Sequence, residues 1–92
     1  MNNLENVFVN AVEARDAAAQ IQTAIKEMQS GVDKLNAEMN LLHENTQTEW
    51  EARFHEDWHD FYTTKFPTVV KALEGQAANL LVAASAADQL NM

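Results

Sequence analysis

Apolar residues recur along the first half of the chain at alternating steps of three and four: Leu4, Val7, Ala11, Ala14, Ala18, Ile21, Ile25, Met28, Val32, Leu35, Met39 and Leu42. A stripe of this period lies along one side of a helix and faces one partner, as in coiled coils. It predicts a helix over about residues 4–43, roughly 60 Å long at ~1.5 Å per residue. Gly31 falls inside it, where glycine costs ~1 kcal/mol relative to alanine. A second stripe runs through Phe54, Trp58, Phe61 or Tyr62, Phe66, Val69, Leu73, Ala77, Leu80, Ala84 and Ala87. It predicts a second helix of similar length over about residues 49–90.

The stretch between them, about residues 44–50, reads as a turn. Asn45, Thr46 and Thr48 are poor in helix interiors and good at helix starts. Thr46 with Glu49, and Thr48 with Glu51, have capping-box spacing. Two helices of matched length joined by a short link predict an antiparallel hairpin. The competing arrangement is one unbroken rod of ~130 Å, since no Gly or Pro forces a turn there. Pro67 lacks an N–H and its ring crowds the carbonyl one turn back, at Thr63. It predicts a kink near residues 63–67.

Length and composition sharpen this picture. Ninety-two residues leave room for a single domain spanning 1–92. Two glycines and one proline are too few to build the turns of a many-stranded sheet, so the fold class is all-α. A short chain buries a modest core and often needs a disulfide, a metal or a partner. There is no cysteine. Yet apolar residues lie beside the two stripes: Phe8, Val9, Val12, Leu41, Trp50, Val70, Leu81 and Val82. The apolar face is wider than one intramolecular seam requires. Apolar surface of this extent marks an interface. The expected assembly is a homodimer or heterodimer of hairpins that forms a four-helix bundle.

Charge removes several function classes. Fourteen acidic residues face six basic ones, a formal charge of −8. Nucleic-acid binding draws on Lys and Arg contacts to phosphate, so no nucleic-acid partner is expected. Anionic membrane surfaces would repel the chain. The most apolar stretch, residues 77–87, is far short of the ~20 residues that span a bilayer, so no membrane insertion is expected. The first five residues lack the basic start and apolar run of a secretory signal. The expectation is a protein made in the cytoplasm, with any export taking a route without a cleaved signal.

One motif points toward catalysis. His55-Glu56-Asp57-Trp58-His59 spells H-E-x-x-H. On a helix this sets two histidines one turn apart, able to ligate zinc, with the glutamate as general base. No further histidine follows His59 to complete a hydrolase site, and no strand is evident to hold a substrate. His55 and His59 fall beside the apolar stripe with Glu51 and Glu56, as a charged exterior face would. They are therefore weak metal candidates, and neither an enzyme activity nor a cofactor is expected. His43, near the end of the first helix, is a favourable charge partner for that helix terminus.

Trp50-Glu51-Ala52 opens the second helix directly after a long first helix, with Trp58 and Pro67 following at plus eight and plus seventeen. Together with the length, the acidic balance and the absence of cysteine, this layout resembles the WXG family. These are the early-secreted-antigen-like proteins exported by type VII secretion systems. The resemblance covers nearly the whole chain. It implies a dimerising helical hairpin that is recognised by the secretion machinery and secreted without a cleaved signal peptide. Ala52 stands where the family has glycine. The family's export signal is a tyrosine followed four residues later by an acidic residue, and here Ala84 and Asp88 occupy those positions. A chain with this degenerate signal would depend on a partner that carries the full one. Under the same resemblance, Trp50 sits at the hairpin tip and is available to a partner. The partner-binding residues are then Trp50, Ala52, Phe54, Trp58, Phe61, Tyr62 and Phe66.

Overall fold

A computed structural model describes the backbone of residues 3–90 and the side chains of residues 11–90. Leu4, Val7, Phe8 and Val9 were assigned to apolar positions, and their side chains lie outside the described residues. Every element is helical: α1 (Asn3–Asn45), α2 (Glu49–Asp60), a π-helical turn (Phe61–Lys65) and α3 (Phe66–Leu90). The chain is thus two long helical runs separated by residues 46–48, an arrangement consistent with a helical hairpin. It contains two compact units, residues 1–25 with 72–92, and residues 26–71.

The first unit is sealed by small side chains. Ala11, Ala18 and Ile25 of α1 are buried, as are Ala77, Ala84 and Ala87 of α3. Alanine gains little by burial but lets helix axes approach closely, since the side chains at a contact set its separation. An ion pair between Arg15 and Asp88 ties the two helices at the rim of this seam.

The second unit contains the turn. Thr48 caps α2, its Oγ1 accepting a hydrogen bond from the Glu51 N–H at 3.1 Å. Cross-helix contacts climb on one helix as they fall on the other: Asp33 with Tyr62, Asn36 with Trp58, His43 with Glu51. That progression is the mark of an antiparallel pair. Where a kink is expected, near residues 63–67, the second run passes through the π-helical turn Phe61–Lys65. The Phe66 N–H bonds the Phe61 carbonyl five residues back. The wider turn makes room for the Pro67 ring against Thr63. Thr63 and Thr68 hydroxyls donate to the carbonyls of His59 and Thr64 at 2.7 and 2.8 Å, satisfying backbone oxygens around the irregularity. A Cβ built at Gly31 would meet nothing within 4 Å, so no close approach requires that glycine.

The seam of this unit differs from the one expected. The stripes place Leu35, Leu42, Phe54 and Val69 at the helix–helix contact, and all four are exposed. Asn36, His55 and Val70, the next residue along, are half-buried or buried instead, and His43, next after Leu42, is exposed but bonds across to Glu51. The contact positions on α1 are Met28, Val32, Asn36, Met39 and His43, a longer mean step than the 3.5 of a strict heptad. A straight helix drifts ~20° per heptad away from a seven-residue repeat, so a sequence stripe stays on its partner only if the helices supercoil. Here the hydrogen bonds of Asn36 and His43 fix the contact one residue later.

Candidate functional site

The second unit mixes polar and apolar groups along its helix–helix contact. Trp58 Nε1 donates to Asn36 Oδ1 at 2.9 Å, and the Tyr62 hydroxyl donates to Asp33 Oδ1 at 2.6 Å. The bond to Asp33, first, and then lost solvent and the aspartate charge raise the Tyr62 pKa above its ordinary 10.0. Closer to the turn, Glu51 is 1% exposed, the one buried charged residue among those described. The capping-box spacing of Thr48 and Glu51 would send this carboxylate back to the Thr48 N–H. It turns instead to His43, whose Nδ1 lies 3.0 and 2.9 Å from the two carboxylate oxygens. An ionised carboxylate only accepts, so the Nδ1 proton is donated to it. The His43 ring stacks on His55, centroids 3.9 Å apart and planes at 16°. The Nδ1 of His55 is buried with no hydrogen-bond partner.

This corrects the placement of His55 and of Glu51. Glu51 and His55 do not belong to a charged exterior face, because Glu51 is buried and His55 is half-buried against α1. His59 and Glu56 are exposed, and the His59 ring centroid stands 6.5 Å from that of His55. The groups that converge are His43, Glu51 and His55, with ligand-capable atoms all within 4.8 Å of one another. The H-E-x-x-H spelling held one of the three. The others come from the end of α1 and the first turn of α2, and the signal that could have found them is the close spacing of His43 and Glu51 across a capped turn.

The outer surface of the unit carries Leu35, Leu42, Trp50, Phe54, Phe61 and Val69, exposed by between 36% (Phe54) and 66% (Trp50). Each immediately precedes a residue that is buried or makes contact across to the other helix: Asn36, His43, Glu51, His55, Tyr62 and Val70. At 3.6 residues per turn, one step back is a fixed rotation away from the seam. In an antiparallel pair that rotation brings both helices' residues to the same side. The six side chains therefore share one face. Trp50 stacks on Phe54 with centroids 5.4 Å apart, and Phe61 meets Trp58 and Phe66 at 5.5 and 6.0 Å.

Of the residues assigned to a partner surface, Trp50, Ala52, Phe54 and Phe61 are exposed, whereas Trp58, Tyr62 and Phe66 are half-buried. The Ala52 N–H bonds the Thr48 carbonyl at 3.0 Å in an ordinary first helical turn. No residue among those described has a positive φ, so this turn does not require the conformational freedom of glycine. Ala84 is buried and Asp88 is engaged with Arg15. No described helix is long and apolar enough to cross a membrane. Comparison with protein-family models, curated proteins and solved structures finds no match to this chain.

Proposed function

We propose that this chain is an interaction protein that covers the apolar face of its tip unit with a second helical hairpin, a copy of itself or a related chain, in a four-helix bundle. One observation carries the reading. Six large apolar side chains share an exposed face while Asn36 and His55 are half-buried and Glu51 is buried beside them. A folded monomer would hide the apolar residues and expose the polar ones. The reverse arrangement is what an interface retains, with its apolar surface kept for the partner.

The biological setting we infer is that of the WXG-like proteins: a substrate or co-secreted partner of a type VII secretion system, made in the cytoplasm and secreted without a cleaved signal peptide. Support comes from Trp50, which opens α2 and is the most exposed aromatic residue of the face. Ala84 is buried and has no hydroxyl to offer, so of the degenerate export signal only the exposed Asp88, paired with Arg15, is open to a receptor. In this reading the partner hairpin carries the full signal, and the assembled bundle is what the machinery recognises. We assign the chain no reaction.

Two measurements test the two levels. Sedimentation equilibrium of the chain alone, and mixed with a candidate sister hairpin from the same host, should show association. A monomer in both cases at high concentration refutes the pairing. In the native host, Trp50→Ala should abolish appearance of the chain in the culture medium while leaving its cellular level intact. Unchanged export would remove the secretion reading and leave the alternative of a cytoplasmic coiled-coil adaptor.

A further inference from the structure

We infer that His43, Glu51 and His55 form a binding site for one divalent first-row transition ion, represented by Zn²⁺, which clips the end of α1 to the first turn of α2.

Three separate features of the tip point to the same ligand. Glu51 is a carboxylate taken out of water, and a buried charge requires a counter-charge. His43 is the group that meets it, through its Nδ1 at 2.9–3.0 Å from both carboxylate oxygens. His55 keeps a ring nitrogen buried with nothing to bond, which is costly for a polar atom. A divalent cation among the three groups supplies a fixed counter-charge to the buried carboxylate and a bond for each donor.

The geometry is close to that of a site. Tetrahedral zinc with nitrogen and oxygen donors at ~2.0–2.1 Å holds them ~3.3 Å apart. His43 Nδ1 and the Glu51 oxygens are already at 2.9–3.0 Å, and all three groups offer donor atoms within 4.8 Å. The ion takes the place of the proton that His43 shares with Glu51. The two imidazoles now stack nearly parallel, and a metal must lie in the plane of each ring. Binding therefore turns the rings toward each other about their Cβ–Cγ bonds. His43 and Glu51 line a concavity of ≈430 Å³ at the turn, which reaches two of the three donors; His55 lies outside it.

Donor chemistry selects the class. Two imidazoles and one carboxylate suit Zn²⁺, Ni²⁺ or Cu²⁺, whereas Mg²⁺ and Ca²⁺ take oxygen donors. The site differs from the surface pair suggested by H-E-x-x-H, because His59 has no part in it. It is also independent of the pairing proposed above, since all three ligands lie in one chain.

The test is isothermal titration of the full, chelator-treated chain with ZnCl₂, followed by thermal melting with and without zinc. One ion should bind per chain and raise the melting temperature, with no such response to Mg²⁺ or Ca²⁺. His43→Gln, Glu51→Gln and His55→Gln should each weaken binding at least about tenfold, the scale on which metal sites respond even to loss of a supporting residue. His59→Gln should leave affinity within about threefold. Zinc binding that survives both His43→Gln and His55→Gln, or that disappears in His59→Gln, overturns the site, as does absence of binding to the wild-type chain. Should a variant lose helicity, imidazole NMR signals of the wild-type chain decide the matter. Zinc must move those of His43 and His55 and spare His59.

Discussion

Replacing Trp50 with alanine separates the cost of pairing from the cost of folding. The side chain is 66% exposed and makes a stacking contact with Phe54 one helical turn on. Its loss should barely affect the fold of the chain, because surface substitutions usually change stability by less than ~0.5 kcal/mol. Alanine also favours the helix. Pairing is another matter. Taking ~250 Å² for a tryptophan side chain, about 165 Å² of Trp50 awaits a partner. Complete coverage at ~25 cal/mol per Å² would be worth about 4 kcal/mol. Interface surface is rarely desolvated in full, so roughly half, about 2 kcal/mol, is the expected loss, close to a thirtyfold rise in Kd. In a symmetric dimer both copies lose the group, and the effect is larger. Sedimentation equilibrium over a concentration series reads the Kd, and far-ultraviolet circular dichroism checks that helicity is kept. Helical variant protein that associates within threefold of wild type would refute the assignment of this face as the interface.

Three further outcomes follow from the tip. Trp58→Phe keeps the ring but removes the N–H donated to Asn36, so it should cost about 1 kcal/mol. In a domain of this size that lowers the melting temperature by ~4–8 °C, and an unchanged melting curve would show that the bond adds nothing. Tyr62 is the chain's single tyrosine, so its phenolate absorbance titrates without interference. The hydrogen bond to Asp33 raises its pKa, and the titration midpoint should lie above 10.0 and fall back in Asp33→Asn. The sign follows from the raised value. The stability Tyr62 contributes is complete below its unfolded pKa and is lost as pH climbs through the folded one. Thermal melts should show this alkaline loss in the wild type and its absence in Tyr62→Phe.

Helicity, the division into two long runs and the place of the break between them are all legible in the sequence. Scarce Gly and Pro, unbroken three-and-four stripes, and Thr48 ahead of α2 are local signals, and helix formation and capping are local physics. The sequence also carried the alanine seam, because Ala11, Ala18, Ala77 and Ala84 are apolar under any small change of phase. Which side of each helix faces the other near the turn was decided only in the tertiary structure. Leu35 and Asn36, or Phe54 and His55, are one residue apart, and the choice between them depends on how far a straight helix drifts from the heptad and on which cross-helix bonds form. That one-residue rotation sends the aromatics outward and brings His43, Glu51 and His55 together from two helices. No period in the chain could reveal the meeting, because it depends on the return of one helix along another rather than on the spacing within either.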